Sequence, residues 1–201
     1  WSDYTGVDAN QDGIGDTPYA IEGDNPDNYP LMRPRAPQRD VAVVSATPYK
    51  TVVAQGRTVN ITITLKNQGD YTEKFNVTVY ANTTIIQRKT ITLTSENSIP
   101  VTLKWDTTGF DVNYTYTISV NATTVPGETD TADNTLFDGS VFVTVPGDID
   151  GNGKCNILDI KKVKLAYSRW IVDPNADIDN NGVINILDLK KVKLIYSGYI
   201  V

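Results

Sequence analysis

The sequence predicts a mainly β protein with a small α-helical part at its C-terminal end, an antiparallel β-sandwich followed by a two-loop, two-to-three-helix unit. Two observations carry this. From Asp40 to Val145, apolar and polar residues alternate with period two, broken by turn residues at short intervals. Beyond Pro146 the pattern changes. DIDGNGKCNILD at 148–159 returns as DIDNNGVINILD at 177–188, an offset of 29, and each copy leads into nearly the same stretch, IKKVKLAYS at 160–168 and LKKVKLIYS at 189–197. The chain divides on this reading into an acidic segment at 1–34, a linker at 35–39, the sandwich at 40–146 and the duplicated unit at 147–201.

The sandwich strands follow from their alternation. Val59, Ile61, Ile63 and Leu65 interleave with Asn60, Thr62 and Thr64, and Phe75, Val77, Val79 and Ala81 with Asn76, Thr78 and Tyr80. Ile99, Val101, Leu103 and Trp105 mark another strand, as do Tyr114, Tyr116, Ile118 and Val120, with Val41–Val44 and Val141–Val145 at the two ends. About seven antiparallel strands in a domain of this size imply an immunoglobulin-like sandwich. The segments KNQGDYTEKFNVTVYAN (66–82), WDTTGF (105–110) and VPGETDTADNT (125–135) resemble the CARDB family, a cell-adhesion-related sandwich. That resemblance implies spacing or adhesion and no reaction.

Each repeated twelve-residue stretch has the spacing of a calcium loop, which supplies oxygens from positions 1, 3, 5, 7, 9 and 12 around a glycine at 6. In the first copy these are Asp148, Asp150, Asn152, the carbonyl of Lys154, Asn156 (directly or through water) and Asp159, with Gly153 at the turn. In the second they are Asp177, Asp179, Asn181, the carbonyl of Val183, Asn185 and Asp188, with Gly182. Pro146-Gly147 before the first loop forbids an entering helix, and Pro174 keeps any helix before the second one short. With Asp at position 12, this stretch resembles a dockerin, the paired-loop module that binds cohesin domains.

Helix periodicity sorts the residues after each loop. Ile160, Val163 and Tyr167, with Leu189, Val192 and Tyr196 in the repeat, are expected inside. Ile157, Leu158, Lys161 and Leu165 form a second stripe, repeated as Ile186, Leu187, Lys190 and Leu194. The dockerin resemblance implies that loop positions 10, 11 and 18 contact cohesin, and these map to Ile157, Leu158, Leu165 and to Ile186, Leu187, Leu194. All are aliphatic, so the expected partner offers an apolar platform. The alternative is that the stripes pack on the sandwich or on each other. In that case the Leu158 side is expected to be the covered one, because its loop adjoins the last strand.

A third candidate ion site lies near the N-terminus. Asp8, Asn10, Asp12, Gly13, Ile14 and Asp16 take loop positions 1, 3, 5, 6, 7 and 9, but position 12 is Tyr19, so Asp3 or Asp24 would have to complete it; the other reading is a plain acidic turn. The segment WSDYTGVDANQDGIGDTPYAI is similar to the end of NosD-type right-handed β-helix proteins, which implies a β-helix upstream. Arg33 to Arg39 reads as a stiff Pro-rich linker.

Composition points to an exported protein. The formal charge is −6, there is no His, and the single Cys allows no internal disulfide. No apolar run approaches the ~20 residues that span a membrane. The start at Trp1, without a signal peptide, suggests the C-terminal part of a longer secreted chain. Five N-x-S/T sequons, Asn60, Asn76, Asn82, Asn113 and Asn121, fall on the polar phase of their strands and permit glycosylation. Cys155, at loop position 8, reads as a small packed hydrophobe in preference to a reactive thiol, and Trp105 and Trp170 as packing residues in preference to carbohydrate platforms. Lysines 161, 162, 164, 190, 191 and 193 form a solvated or partner-facing surface, since an acidic exported chain is a poor nucleic-acid binder. No carboxylate pair stands apart from the loops as an acid/base couple. The expectation is a non-enzymatic, calcium-dependent attachment module that binds a cohesin-bearing protein and does not insert into membranes. A self-assembling surface-layer or filament subunit is the runner-up.

Overall fold

The computed structural model describes residues 6–9, 13–21, 25–30 and 37–200. The chain forms two compact units, Trp1–Pro37 and Gln38–Val201. In the first, β1 (Tyr19–Ile21) pairs antiparallel with β2 (Asn25–Asp27). Gly15 N–H donates to the Pro30 carbonyl at 2.7 Å, and both residues are buried.

The second unit holds the sandwich and the duplicated loops together. Eight strands form the sandwich: β3 (Val41–Pro48), β4 (Val52–Ala54), β5 (Thr58–Asn67), β6 (Glu73–Ala81), β7 (Thr84–Leu93), β8 (Ser98–Asp106), β9 (Tyr114–Ala122) and β10 (Thr135–Thr144). One sheet has the order β3-β5-β8 and the other β4-β10-β9-β6-β7. The inward phase of each strand makes the core. Val59, Ile61, Ile63 and Leu65 of β5 and Val77, Val79 and Ala81 of β6 are essentially inaccessible, and each buried Val, Leu or Ile contributes about 1.5–3 kcal/mol. Trp105 closes one end of this core. Phe110 and Tyr116 stand edge-on to it at 5.1 and 5.7 Å between ring centres, an arrangement the ring quadrupoles favour.

The expected strands are present, with three differences. β7 was not anticipated, because only Ile91 and Leu93 are buried, Ile86 packs half-buried against the core, and the rest of the strand lies exposed along the sheet edge. Its Arg88 and Lys89 suit an edge that must not pair with a neighbour. The sandwich is not wholly antiparallel, since β4 pairs parallel with β10, Val53 opposite Val143. Asn82 and Asn113 are not strand residues; they sit in turns with φ of +53° and +57°, a conformation Asn adopts more readily than most residues. Gln38 and Arg39, expected in the linker, are tied to the sandwich. Gln38 exchanges hydrogen bonds with Asp70, and Arg39 pairs with Glu73 at 2.6 Å and covers the Tyr71 ring at 4.4 Å. Residues 33–36 of that linker lie outside the described residues.

After β10 the chain turns through Pro146 and Gly147 straight into the first loop, with no entering helix. Then come α1 (Ile157–Tyr167), a single 3₁₀ turn from Pro174 to Ala176, the second loop and α2 (Ile186–Tyr196). Ile149, Val163, Ala166, Ala176, Leu189 and Val192 make a small separate core. Tyr167 and Tyr196, expected inside, are instead 43% and 53% exposed. The helices face each other along Val163/Ala166 and Leu189/Val192, and a ring in the last helical position lies past the end of that contact. Trp170, expected to pack, is 81% exposed, and its repeat counterpart Tyr199 is 80% exposed.

Gly147 is the tightest point of the junction. Its φ is +83°, and a β-carbon there would lie 2.6 Å from Cys155 Sγ and 2.9 Å from Ile195 Cγ2. Gly147→Ala is therefore expected to destabilise by about 1–3 kcal/mol from left-handed strain and overpacking. Calorimetry of the double variant with Cys155→Ala should recover part of the loss. No recovery would mean that backbone strain alone is responsible.

Candidate functional site

Both loops fold around their acids. Asp148 Oδ1 accepts from Gly151 and Asn152 N–H at 2.8 and 3.2 Å, and its Oδ2 accepts from Gly153 N–H at 2.7 Å. Asp150 and Asn152 each accept from the backbone two residues on, at 3.1 and 3.0 Å. Asp159 Oδ1 accepts from Ile149 and Asp150 N–H, and Oδ2 from Asn156 N–H at 2.7 Å. The second loop repeats this scheme. Asp177 accepts from Asn181 and Gly182 N–H, Asp179 from Asn181 N–H, Asn181 from Val183 N–H, and Asp188 from Ile178, Asp179 and Asn185 N–H. The turn glycines Gly153 and Gly182 take φ of +84° and +87°.

The result is two triads, Asp148/Asp150/Asp159 and Asp177/Asp179/Asp188, each with one carboxylate oxygen per residue within 4.8 Å of the others. Each could hold a metal ion. The backbone N–H bonds fix the carboxylates while leaving their remaining lone pairs available. The donors are all oxygen, counting Asn152, Asn181 and the carbonyls of Lys154 and Val183, which suits a hard cation. Asn156 and Asn185 cap the helices, with Oδ1 2.7 Å from Leu158 N and Leu187 N. That bond favours their reaching an ion through water. Burial and the neighbouring Asp159 and Asp148 push the Asp150 carboxyl up. Cys155 is half-buried against the small core, and burial pushes its thiol up to about 11, in keeping with an inert packing residue.

Sequence reasoning missed the groups that seat these loops on the sandwich. Thr144 Oγ1, at the end of β10, donates to Asp148 Oδ2 at 2.5 Å. On the second loop the corresponding contact is ionic. Lys50, in the turn between β3 and β4, has its ammonium 3.8 Å from Asp177 Oδ2. It also donates to the Asp177 carbonyl and to Asn180 Oδ1, the latter at 2.6 Å. Both side chains of the pair are buried, at 6% and 4% exposure. Burial pulls the Lys50 ammonium down, opposed by Asp177, Asp188 and Asp179. Asn175 Oδ1 receives Thr51 and Val52 N–H, and Asn180 Nδ2 donates to the Thr58 carbonyl at 2.7 Å. Lys162 joins loop and 3₁₀ turn, bonding the Ile149 carbonyl and pairing with Asp173 at 3.0 Å. A lone lysine more than a hundred residues from its partner leaves no local signal.

The outer stripes are open. Ile157, Leu158 and Leu165 are 50%, 54% and 46% exposed, and Ile186, Leu187 and Leu194 are 42%, 54% and 43%. Lys161 and Lys190 are also exposed. Neither stripe is covered by the sandwich, and Leu158 is not the hidden one. Of the N-terminal candidate, Asn10 and Asp12 (with Asp3 and Asp24) lie outside the described residues. Asp8 accepts from Gly13 N–H and Asp16 from Ala9 N–H, and Ile14 lies in a β-bridge. Of the sequons, Asn60, Asn76, Asn82 and Asn113 are exposed and Asn121 is half-buried, its Nδ2 donating to Thr135 Oγ1 at 2.7 Å. Asn113 packs on the first loop; its Oδ1 lies 2.9 Å from where a Gly153 β-carbon would stand.

A β-sandwich carrying two acidic loop–helix repeats at one end defines the class. The family model named CARDB matches residues 38–137, so this part of the chain is a CARDB domain. Among solved structures, a CARDB domain from Pyrococcus furiosus in complex with di-metal ions is 22% identical, with a TM-score of 0.45 over 54% of this chain and 96% of that one. A domain named as part of a cell surface protein from Methanosarcina acetivorans is 30% identical, with a TM-score of 0.43 over 53% and 92%. A β-glucosidase from Listeria innocua is 13% identical, with a TM-score of 0.38 over 62% of this chain and 19% of that one. No curated protein matches the chain. No helix among the described residues is long and apolar enough to cross a membrane.

Removing Lys50 takes the buried countercharge from the second loop. In chelator, Lys50→Met should cost about 3–5 kcal/mol, because Asp177 is left buried without a cation. A hard cation held by the second loop would make the loss smaller in calcium, and calorimetric titration would then show tighter binding at one loop. Equal losses with and without calcium would show that Lys50 acts by packing alone.

Proposed function

We propose that this chain is a calcium-dependent attachment part of an extracellular surface protein. Each loop holds one calcium ion, the aliphatic stripes dock a cohesin-type partner, and the CARDB sandwich serves as spacer. The observation that carries this reading is the pair of repeat-related stripes, six aliphatic side chains left 42–54% exposed on one small module. Patches of this kind mark interaction surfaces. Calcium enters because the stripes begin at the last loop positions. An ion that draws Asp159 and Asp188 onto their loops also sets the start of α1 and α2, and so the pitch of each stripe. At a concentration ~1,000 times the dissociation constant, one ion adds roughly 4 kcal/mol to the folded state. No step in this reading is catalytic.

Because the repeat relates the two stripes, a partner can dock on either after turning about half a revolution. Burying an exposed Leu contributes roughly 1.5–3 kcal/mol, and Arg in its place adds a desolvation cost. Leu158→Arg or Leu187→Arg alone should weaken calcium-dependent binding of a purified cohesin domain only slightly. The double variant should lose it by orders of magnitude, far from additive. Loss in one single variant only would mean that a single face is used. If the double variant still binds, this surface is not the recognition site. Calcium-dependent self-association abolished by the double variant, with no cohesin binding, would favour a self-assembling subunit.

A further inference from the structure

At the start of β10, away from the loops, the sandwich gathers buried oxygens with no hydrogen to meet. Asp40 leads into β3, Glu128 and Asp130 lie between β9 and β10, and Asp133-Asn134 immediately precede β10. Glu128 is fully engaged, with Oε1 accepting from Val41 N–H at 2.8 Å and Oε2 from Val125 N–H at 2.7 Å and Asn134 Nδ2 at 3.1 Å. Asp133 Oδ2 accepts from Gln68 Nε2 at 2.7 Å, and its carbonyl from Val43 N–H at 2.9 Å. What remains is Oδ1 of Asp40, of Asp133 and of Asn134, each closed off from solvent and without a hydrogen-bond partner. Asn134 is only 3% exposed, and its amide nitrogen is already committed to Glu128.

Leaving such acceptors bare is costly, more so for carboxylates than for an amide. Nearby charge makes matters worse. Burial and the charges of Asp133, Glu128 and Asp130 push the Asp40 carboxyl up, with Lys66 pulling the other way. Two carboxylates and one amide, each with one buried oxygen that no donor meets, offer an oxygen-only set of the kind hard cations take.

We propose that Asp40, Asp133 and Asn134 hold a calcium-class cation inside the sandwich, at a site separate from both loops. The ten residues of β10 separate Asn134 from the first loop, roughly 30 Å at strand rise. A cation here ties the first residue before β3 to the last before β10, closing the sandwich where the chain enters it. The site does not depend on the attachment reading.

Separation along β10 makes the two kinds of site distinguishable in the whole chain. Manganese(II) titrated into the ¹⁵N-labelled protein should broaden the amide signals of Val41, Val43, Ala122 and Val125, as well as those of Ile149 and Ile178 beside the loops. Excess calcium should reverse both. Asp40→Asn, or Asp133→Asn as a second isosteric variant, should abolish the first set and leave the second. In chelator these variants should melt above the unmodified protein, and calcium should remove that advantage. If the first set stays sharp while the loop amides broaden, or if both variants leave its broadening unchanged, the site does not exist and water meets these oxygens.

Discussion

In each loop, three carboxylates are held within 4.8 Å of one another by backbone N–H groups that approach from outside. Most of the C-terminal architecture follows from that crowding. Asp159 spans the loop with one oxygen on Ile149 and Asp150 N–H and the other on Asn156 N–H, so loop closure and the start of α1 are one event. Once α1 starts there, Val163 and Ala166 point at α2, and Ile157, Leu158 and Leu165 can only point outward. The same holds for Asp188, α2 and its stripe. The charge crowded into each loop is thus the charge that positions the apolar surface.

The repeat is symmetric in sequence, yet its support is not. Asp148 rests on the hydroxyl of Thr144, a neutral donor, whereas Asp177 rests on the buried ammonium of Lys50. Two loops with the same ligand set therefore meet different fields. The cation beside Asp177 offsets part of the repulsion among Asp177, Asp179 and Asp188, an offset that the neutral Thr144 hydroxyl cannot give the first loop. Asn175 and Asn180 add neutral bonds to β4 and to Thr58, so the second loop is also the more firmly seated.

How much could be read in advance depended on distance along the chain. The two acidic loops were legible because their acids, turn glycine and cap all fall within twelve residues, and the stripes because helix periodicity is local. β5, β6, β8 and β9 were legible because they are half-buried and alternate. β7 was not, since an edge strand that buries only two side chains has no reason to alternate. Tyr167 and Tyr196 satisfied the periodicity but lie past the end of the helix contact, something set by the partner helix. Trp170 followed the general rule that large aromatics pack, and that rule fails on a module too small to cover it. Lys50 and the buried oxygens around Glu128 arise only when strands distant in sequence are brought together.

The parallel pairing of β4 with β10 has a mechanical meaning. β10 runs directly into the first loop, while β4 lies after β3 toward the point where the chain enters the sandwich. When β4 is pulled back toward that entry and β10 forward into the loops, the two parallel strands slide in opposite directions. Their hydrogen bonds are then loaded side by side in shear, and none can open without the others. Lys50, Asn175 and Asn180 bind the second loop to the backbone on either side of β4, so a load borne by the loops is also shared with that strand. The short strand with the fewest residues in its sheet is the one that would resist extension under tension.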